Sequence, residues 1–171
     1  MNIVLTGFMG TGKTAVGRRL AERLRVPFED VDAAITKEAG RSIADIFAVE
    51  GEERFRKLEA AVIQRLAAAD RTVIATGGGA LFHPGNRAAL ARNGILVCLT
   101  AKLGTLLERL RDDVTRPLLA GEDMEKRLER LMKERQAVYA ECPIQIPTDG
   151  RTIDDVTDCI ISRITPQWAA A

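Results

Sequence analysis

Gly7-Phe8-Met9-Gly10-Thr11-Gly12-Lys13-Thr14 fits the phosphate-binding pattern G-x-x-x-x-G-K-[ST] at every fixed position. The run before it, Asn2-Ile3-Val4-Leu5-Thr6, is apolar and partly β-branched, and reads as a buried strand. After it, Val16, Leu20 and Leu24 recur at helical spacing while Arg18, Arg19, Glu22 and Arg23 take the other faces, so 15–25 reads as a helix. Strand, glycine-rich loop and helix are the setting in which such a loop holds phosphate. The curled backbone points its N–H groups at an anion, and the helix N-terminus adds its dipole. On this reading Gly10, Thr11, Gly12, Lys13, Thr14 and Ala15 bind ATP. Lys13 reaches the β- and γ-phosphates, and the Thr14 hydroxyl ligates Mg²⁺.

The bulk numbers narrow the partners. A length of 171 residues fits one domain with its own core, expected over 1–166 with a tail at 167–171. A net charge of +1 and 4% aromatic residues argue against nucleic acid and against an anionic membrane surface. No apolar run approaches the ~18 residues of a membrane span. Met1 leads straight into the first strand, leaving no room for a signal peptide. Cys98, Cys142 and Cys159 form no C-x-x-C and read as reduced packing residues, so a cytoplasmic monomer is expected. His83 is the only histidine, which excludes metal sites built from several histidines; it precedes Pro84 and reads as a residue beside a helix cap.

Along the chain, strands alternate with helices. A short strand from Pro27 ends in Asp30-Val31-Asp32, and a helix follows to Gly40. Ser42 caps a helix that Gly51 breaks, and a second one runs over 52–68. Thr72-Val73-Ile74-Ala75 is a strand that meets Gly77-Gly78-Gly79, and Ile95-Leu96-Val97-Cys98-Leu99 is another. Helices are read at 84–92, 102–111, 124–141 and 153–164, with one short strand in 143–147. The segment 112–122 carries Arg116-Pro117 and Gly121 and reads as a lid. This alternation predicts an α/β fold: a mainly parallel five-stranded sheet flanked by helices. The glycine-rich loop, Asp30 with Asp32, and the three glycines all follow strand ends, so they should converge on one crevice.

Some phosphate-loop classes are excluded. The asparagines, at 2, 86 and 93, form no N-K-x-D, and no aspartate has a glycine three residues on, so a regulatory GTPase does not fit. A small kinase does. Two helices then carry charges on their apolar stripes. Arg135 falls among Leu128, Leu131, Met132 and Val138, and Glu59 falls among Phe55, Leu58, Val62 and Leu66, with Arg56 three residues before it. A charge on a core-facing stripe is either half of a buried ion pair or faces a ligand. The second reading makes a cationic pocket for an anionic acceptor, with Glu59 orienting Arg56.

In order and spacing, the loop 7–14, Asp30-Val31-Asp32, Phe55-Arg56-Lys57-Leu58-Glu59, Gly77-Gly78-Gly79, Arg116-Pro117-Leu118-Leu119, and Arg135 with Tyr139 resemble the shikimate kinase family over nearly the whole chain. The resemblance implies a Mg²⁺- and ATP-dependent kinase that phosphorylates the 3-hydroxyl of shikimate. It implies that Asp32, Arg56, Gly78, Gly79 and Arg135 bind shikimate, with Gly77 and Glu59 in the same pocket. Arg109 and Arg116 would approach the nucleotide, and Arg151 would lie beside adenine. Lys13, Asp32 and Arg116 would carry the chemistry, and Asp30 would join Thr14 at the metal. Lys57 departs from the second arginine of some relatives. A gluconate-type sugar-acid kinase and a nucleotide-binding regulatory module are the rival readings.

Overall fold

The computed structural model describes residues 1–111 and 124–168. Among them, five strands form one sheet of order β2-β3-β1-β4-β5. The strands are β1 (Asn2–Gly7), β2 (Phe28–Asp30), β3 (Val73–Ala75), β4 (Gly94–Thr100) and β5 (Ile144–Pro147). Every pairing is parallel; β1 sits at the centre, with Ile3 opposite Val73 on one side and Ile95 on the other.

Both faces of the sheet are covered, which is why its strands are apolar on both sides. Ile3, Leu5, Val97 and Leu99 meet Val16, Leu20 and Ile160 from α1 (Lys13–Leu24) and α7 (Ile153–Trp168). Val4, Ile74, Leu96 and Cys98 meet Ile35, Ile63, Leu90, Leu106 and Leu128. Those side chains come from α2 (Val31–Ala39), α3 (Ile43–Ala67), α4 (Pro84–Arg92), α5 (Leu103–Leu110) and α6 (Met124–Ala140). The expected α/β architecture is thus present.

Local chemistry sets the element ends. The Ser42 hydroxyl accepts the Asp45 N–H at 3.0 Å and starts α3. Gly51, at φ 79° and ψ 172°, kinks α3 where the sequence placed a break. His83 stands at the N-cap position of α4 without a side-chain cap bond, and Pro84 is the first residue of the helix, as expected. Two differences concern ends. Strand β2 stops at Asp30, and Val31 and Asp32 already belong to α2, because the Asp30 carboxylate accepts the N–H groups of Asp32 (3.0 Å) and Ala33 (3.2 Å) and caps that helix. Helix α7 continues four residues past Ile164, so 167 and 168 are helical rather than tail. Trp168 packs against the core layer of α1 and α7 with the Arg71 guanidinium 4.9 Å from its ring centroid, which holds the last turn in place. The segment 112–122, read as a lid, lies outside the described residues. Among the described residues no helix is long and apolar enough to cross a membrane.

Candidate active site

The carboxyl ends of β1, β2 and β3 open into one crevice, as a parallel sheet requires. From β1 comes the phosphate loop. Gly7 stands at φ +130°, and a Cβ there would lie 2.2 Å from the Leu99 carbonyl oxygen, so only glycine lets the loop leave the sheet this way. The Thr11 hydroxyl turns inward and donates to the Phe8 carbonyl at 2.8 Å, bracing the loop. Lys13 leans back over the loop, its ammonium donating to the carbonyls of Gly7 (3.0 Å) and Phe8 (2.9 Å).

From β2 comes Asp30, whose second carboxylate oxygen accepts the Thr14 hydroxyl at 2.8 Å. Capping α2 with one oxygen and meeting Thr14 with the other holds this carboxylate beside the phosphate loop. Asp32, on the first turn of α2, points across the end of β3: a Cβ built on Gly77 would lie 2.8 Å from its Oδ1 and 3.3 Å from Glu59 Oε1.

From β3 comes the three-glycine run, the floor of the crevice. Cβ atoms built on Gly78 and Gly79 would stand 3.2 Å from an Arg135 Nη and 3.0 Å from an Arg56 Nη, respectively. Gly78 also abuts the phosphate loop, 3.6 Å from Gly7 O and Met9 N by the same measure. The N–H groups of Gly77, Gly78 and Gly79 donate to no acceptor among the described backbone hydrogen bonds. Three glycine backbones, two guanidinium groups and two carboxylates therefore share a small floor next to the phosphate loop.

The cations are oriented from behind. Arg56 Nη1 donates to Glu59 at 2.8 Å, the i,i+3 pair expected from the sequence, and Glu52 holds its other edge at 3.0 Å. Glu52 lies four residues before Arg56, a spacing visible in the sequence but not read there. Glu59 is 1% exposed, and burial raises its carboxyl above the ordinary value; the Arg56 pair pulls it back and Asp32 pushes it further up. Arg135 is different. Among the described residues no carboxylate pairs with it. Its guanidinium lies instead 5.5 Å from the Phe8 ring centroid and 5.6 Å from that of Phe82. One turn further along α6, the Tyr139 hydroxyl donates to the Gly78 carbonyl. These aromatic and hydroxyl contacts were not read from the sequence, though the i,i+4 spacing of Arg135 and Tyr139 puts both on one face.

At the other end of the crevice, Arg109 donates to Gly10 O (3.2 Å) and to Thr148 O and Oγ1 (both 3.0 Å). It thereby ties the phosphate loop to the turn that carries Arg151. Arg151 is exposed on that turn, its N–H donating to Thr148 O at 3.4 Å. Arg116 lies outside the described residues.

The chain matches the family model described as shikimate kinase over residues 9–165. It is 50% identical over 167 residues to the shikimate kinase of Symbiobacterium thermophilum, covering 96% of each chain, and 47% identical over 155 residues to that of Geobacter sulfurreducens, covering 91% and 86%. The solved shikimate kinase of Acinetobacter baumannii in complex with shikimate superposes with a TM-score of 0.93 at 40% identity, covering 97% of this chain and 93% of that one. With these likenesses carried over almost its full length, the chain belongs to the shikimate kinase family.

Proposed function

We propose that this chain transfers the γ-phosphoryl group of ATP to the 3-hydroxyl of shikimate. One observation carries the reading: Gly77–Gly79 with Asp32, Arg56 and Arg135 form a floor complementary to a carboxylated polyol, directly against a phosphate loop. Guanidinium forks suit a carboxylate, and Asp32 with the close-lying glycine backbone suits ring hydroxyls.

Thr14 Oγ1 and Asp30 Oδ2 are hard oxygen donors 2.8 Å apart, which fits Mg²⁺ held by one or two protein groups plus phosphate oxygens. Bound there, Mg²⁺ would neutralise charge on the β- and γ-phosphates. The loop N–H groups and Lys13, exchanging carbonyl partners for phosphate oxygens, hold the triphosphate in line with the acceptor. Arg56 and Arg135 fix the acceptor by its carboxylate. Asp32 orients the attacking hydroxyl and accepts its proton as the new P–O bond forms and ADP leaves. Arg116 joins Lys13 at the transferring group on the strength of the family pattern alone. The protein would act as a cytoplasmic monomer.

A coupled ADP-release assay across shikimate, quinate, gluconate and nucleoside monophosphates tests the reading. Turnover is expected with shikimate and to depend on Mg²⁺. Preferred turnover with gluconate, or ADP release indifferent to any acceptor, would overturn it.

A further inference from the structure

Helix α5 begins without a cap of its own. Its N-cap residue is Lys102, whose side chain has no oxygen to offer the open N–H groups of the first turn. The cap comes from far along the chain: Asp149 Oδ1 accepts the Lys102 N–H at 2.8 Å and the Thr105 hydroxyl at 2.7 Å. The Lys102 N–H and the Thr105 hydroxyl hold the Asp149 carboxyl below its ordinary range, so it is anionic at neutral pH and favoured at a helix N-terminus.

The other end of α5 reaches the same turn. Arg109 spans Thr148, the neighbour of Asp149, and Gly10 of the phosphate loop. Helix α5 also leans on that loop directly, since a Cβ at Gly10 would stand 3.1 Å from Leu110 and 3.3 Å from Leu106. The turn itself is seated on the sheet by the Thr148 N–H and hydroxyl, which donate to Thr100 O at 2.9 and 3.1 Å. Phosphate loop, α5 and the 148–151 turn are thus joined as one frame, with Asp149 as the link at one corner.

We propose that Asp149 is a positioning residue for the nucleotide: it holds the 148–151 turn, with Arg151, at a fixed offset from the phosphate loop and so sets where the base sits once the phosphates are bound. The inference rests on the proposed reading of the loop, Arg109 and Arg151 as the nucleotide side. A carboxylate that only capped α5 would support folding and leave both Michaelis constants alone.

The test uses Asp149→Ala, Asp149→Asn and Thr105→Val in the full chain, with melting temperature, ADP affinity and both Michaelis constants. Asp149→Ala is expected to raise KM for ATP about tenfold and weaken ADP comparably, while KM for shikimate stays within about twofold. Asp149→Asn keeps an oxygen acceptor at the same place and should recover most of the loss. Thr105→Val removes one of the two contacts and should raise KM for ATP by about two- to threefold. A lowered melting temperature with unchanged KM for ATP would overturn the proposal, as would an equal rise in both constants. If Asp149→Ala fails to fold, Thr105→Val decides on the same criteria. Absent turnover of ATP with shikimate in the unaltered protein is a separate result, which sinks the functional reading rather than this one.

Discussion

The Tyr139 hydroxyl donates to the carbonyl of Gly78, tying α6 to the floor of the acceptor pocket one helical turn from Arg135. A trans peptide points its carbonyl and the following N–H in opposite directions. Holding the Gly78 carbonyl therefore also aims the Gly79 N–H on the floor. Burial pushes the phenol up to about 12, so the hydroxyl remains a donor throughout the working pH range.

Tyr139→Phe removes that donor while leaving ring volume and the edge contact to Phe82 in place. Loss of one buried hydrogen bond, with the carbonyl left wanting, costs about 1–3 kcal/mol. Part of it should appear in the acceptor site: KM for shikimate is expected to rise about fivefold with KM for ATP unchanged. Steady-state kinetics with each substrate varied in turn checks this, and an equal change in both constants would mean that the hydroxyl serves the fold alone.

Asp30 has two tasks that a pair of variants can separate. Asp30→Asn keeps a good cap for α2 but loses the anionic oxygen facing Thr14. It should leave the melting temperature nearly unchanged and raise the Mg²⁺ concentration needed for half-maximal rate. Asp30→Ala should add a stability loss of about 1 kcal/mol from the missing cap. Mg²⁺ titrations and thermal denaturation read the two effects, and an unaltered Mg²⁺ requirement in Asp30→Asn would remove Asp30 from the metal site.

Asp32→Asn is expected to lower kcat/KM for shikimate by ~10²-fold or more while ADP affinity holds, since orienting and proton-accepting groups contribute on that scale. Calorimetric titration with ADP beside the kinetics decides it. A collapse of nucleotide affinity with acceptor kinetics intact would exchange the roles of Asp30 and Asp32.

Glu59 makes stability depend on pH. Its carboxyl titrates above the ordinary 4.5 in the folded chain because it is buried. The folded state therefore binds this proton more tightly than the unfolded chain does. The stabilisation is complete below about pH 4.5 and is lost as pH rises through the raised folded value. Glu59→Gln, which cannot titrate, should flatten the unfolding free energy between pH 4.5 and 7 relative to the unaltered protein. Urea denaturation at several pH values measures it; identical slopes would show that the folded environment does not perturb Glu59.

Much of this architecture is written in local pattern. The phosphate loop, the apolar strands and the helix starts at Ser42 and Pro84 each depend on neighbours in sequence, and local pattern exposes them. Arg135 and Glu59 were also visible, because a charge on an apolar stripe breaks the pattern. The contacts that were not legible join distant segments: Thr14 to Asp30, Tyr139 to Gly78, and Asp149 to the start of α5, which spans 47 positions. No local rule announces that a helix will borrow its cap from another strand's end. The end of β2 was misplaced for a related reason: Asp30-Val31-Asp32 fits a strand end and a helix start equally well, and only the capping bonds of Asp30 decide between them.

Arg135 tests the acceptor site most sharply, because the two readings of a mid-stripe arginine differ in their effect on stability. As half of a buried ion pair, its removal would strand the partner and cost ~3–5 kcal/mol of folding free energy. Among the described residues no carboxylate pairs with it; its neighbours are the faces of Phe8 and Phe82 and the Tyr139 hydroxyl. Two partly exposed cation–π contacts are worth about 1–2 kcal/mol together, so Arg135→Ala should cost no more than that. Shikimate binding should fall by ~2–4 kcal/mol, roughly 30- to 10³-fold, because a charge-assisted fork to a carboxylate is lost. Arg135→Lys should recover only part: an ammonium restores the charge but not the bidentate contact, and it stacks less well between two rings. Thermal denaturation without ligand, paired with a shikimate titration of the three proteins, reads both quantities. A large loss of stability with unchanged acceptor affinity would put Arg135 back in the core and leave Arg56 as the sole guanidinium for the carboxylate.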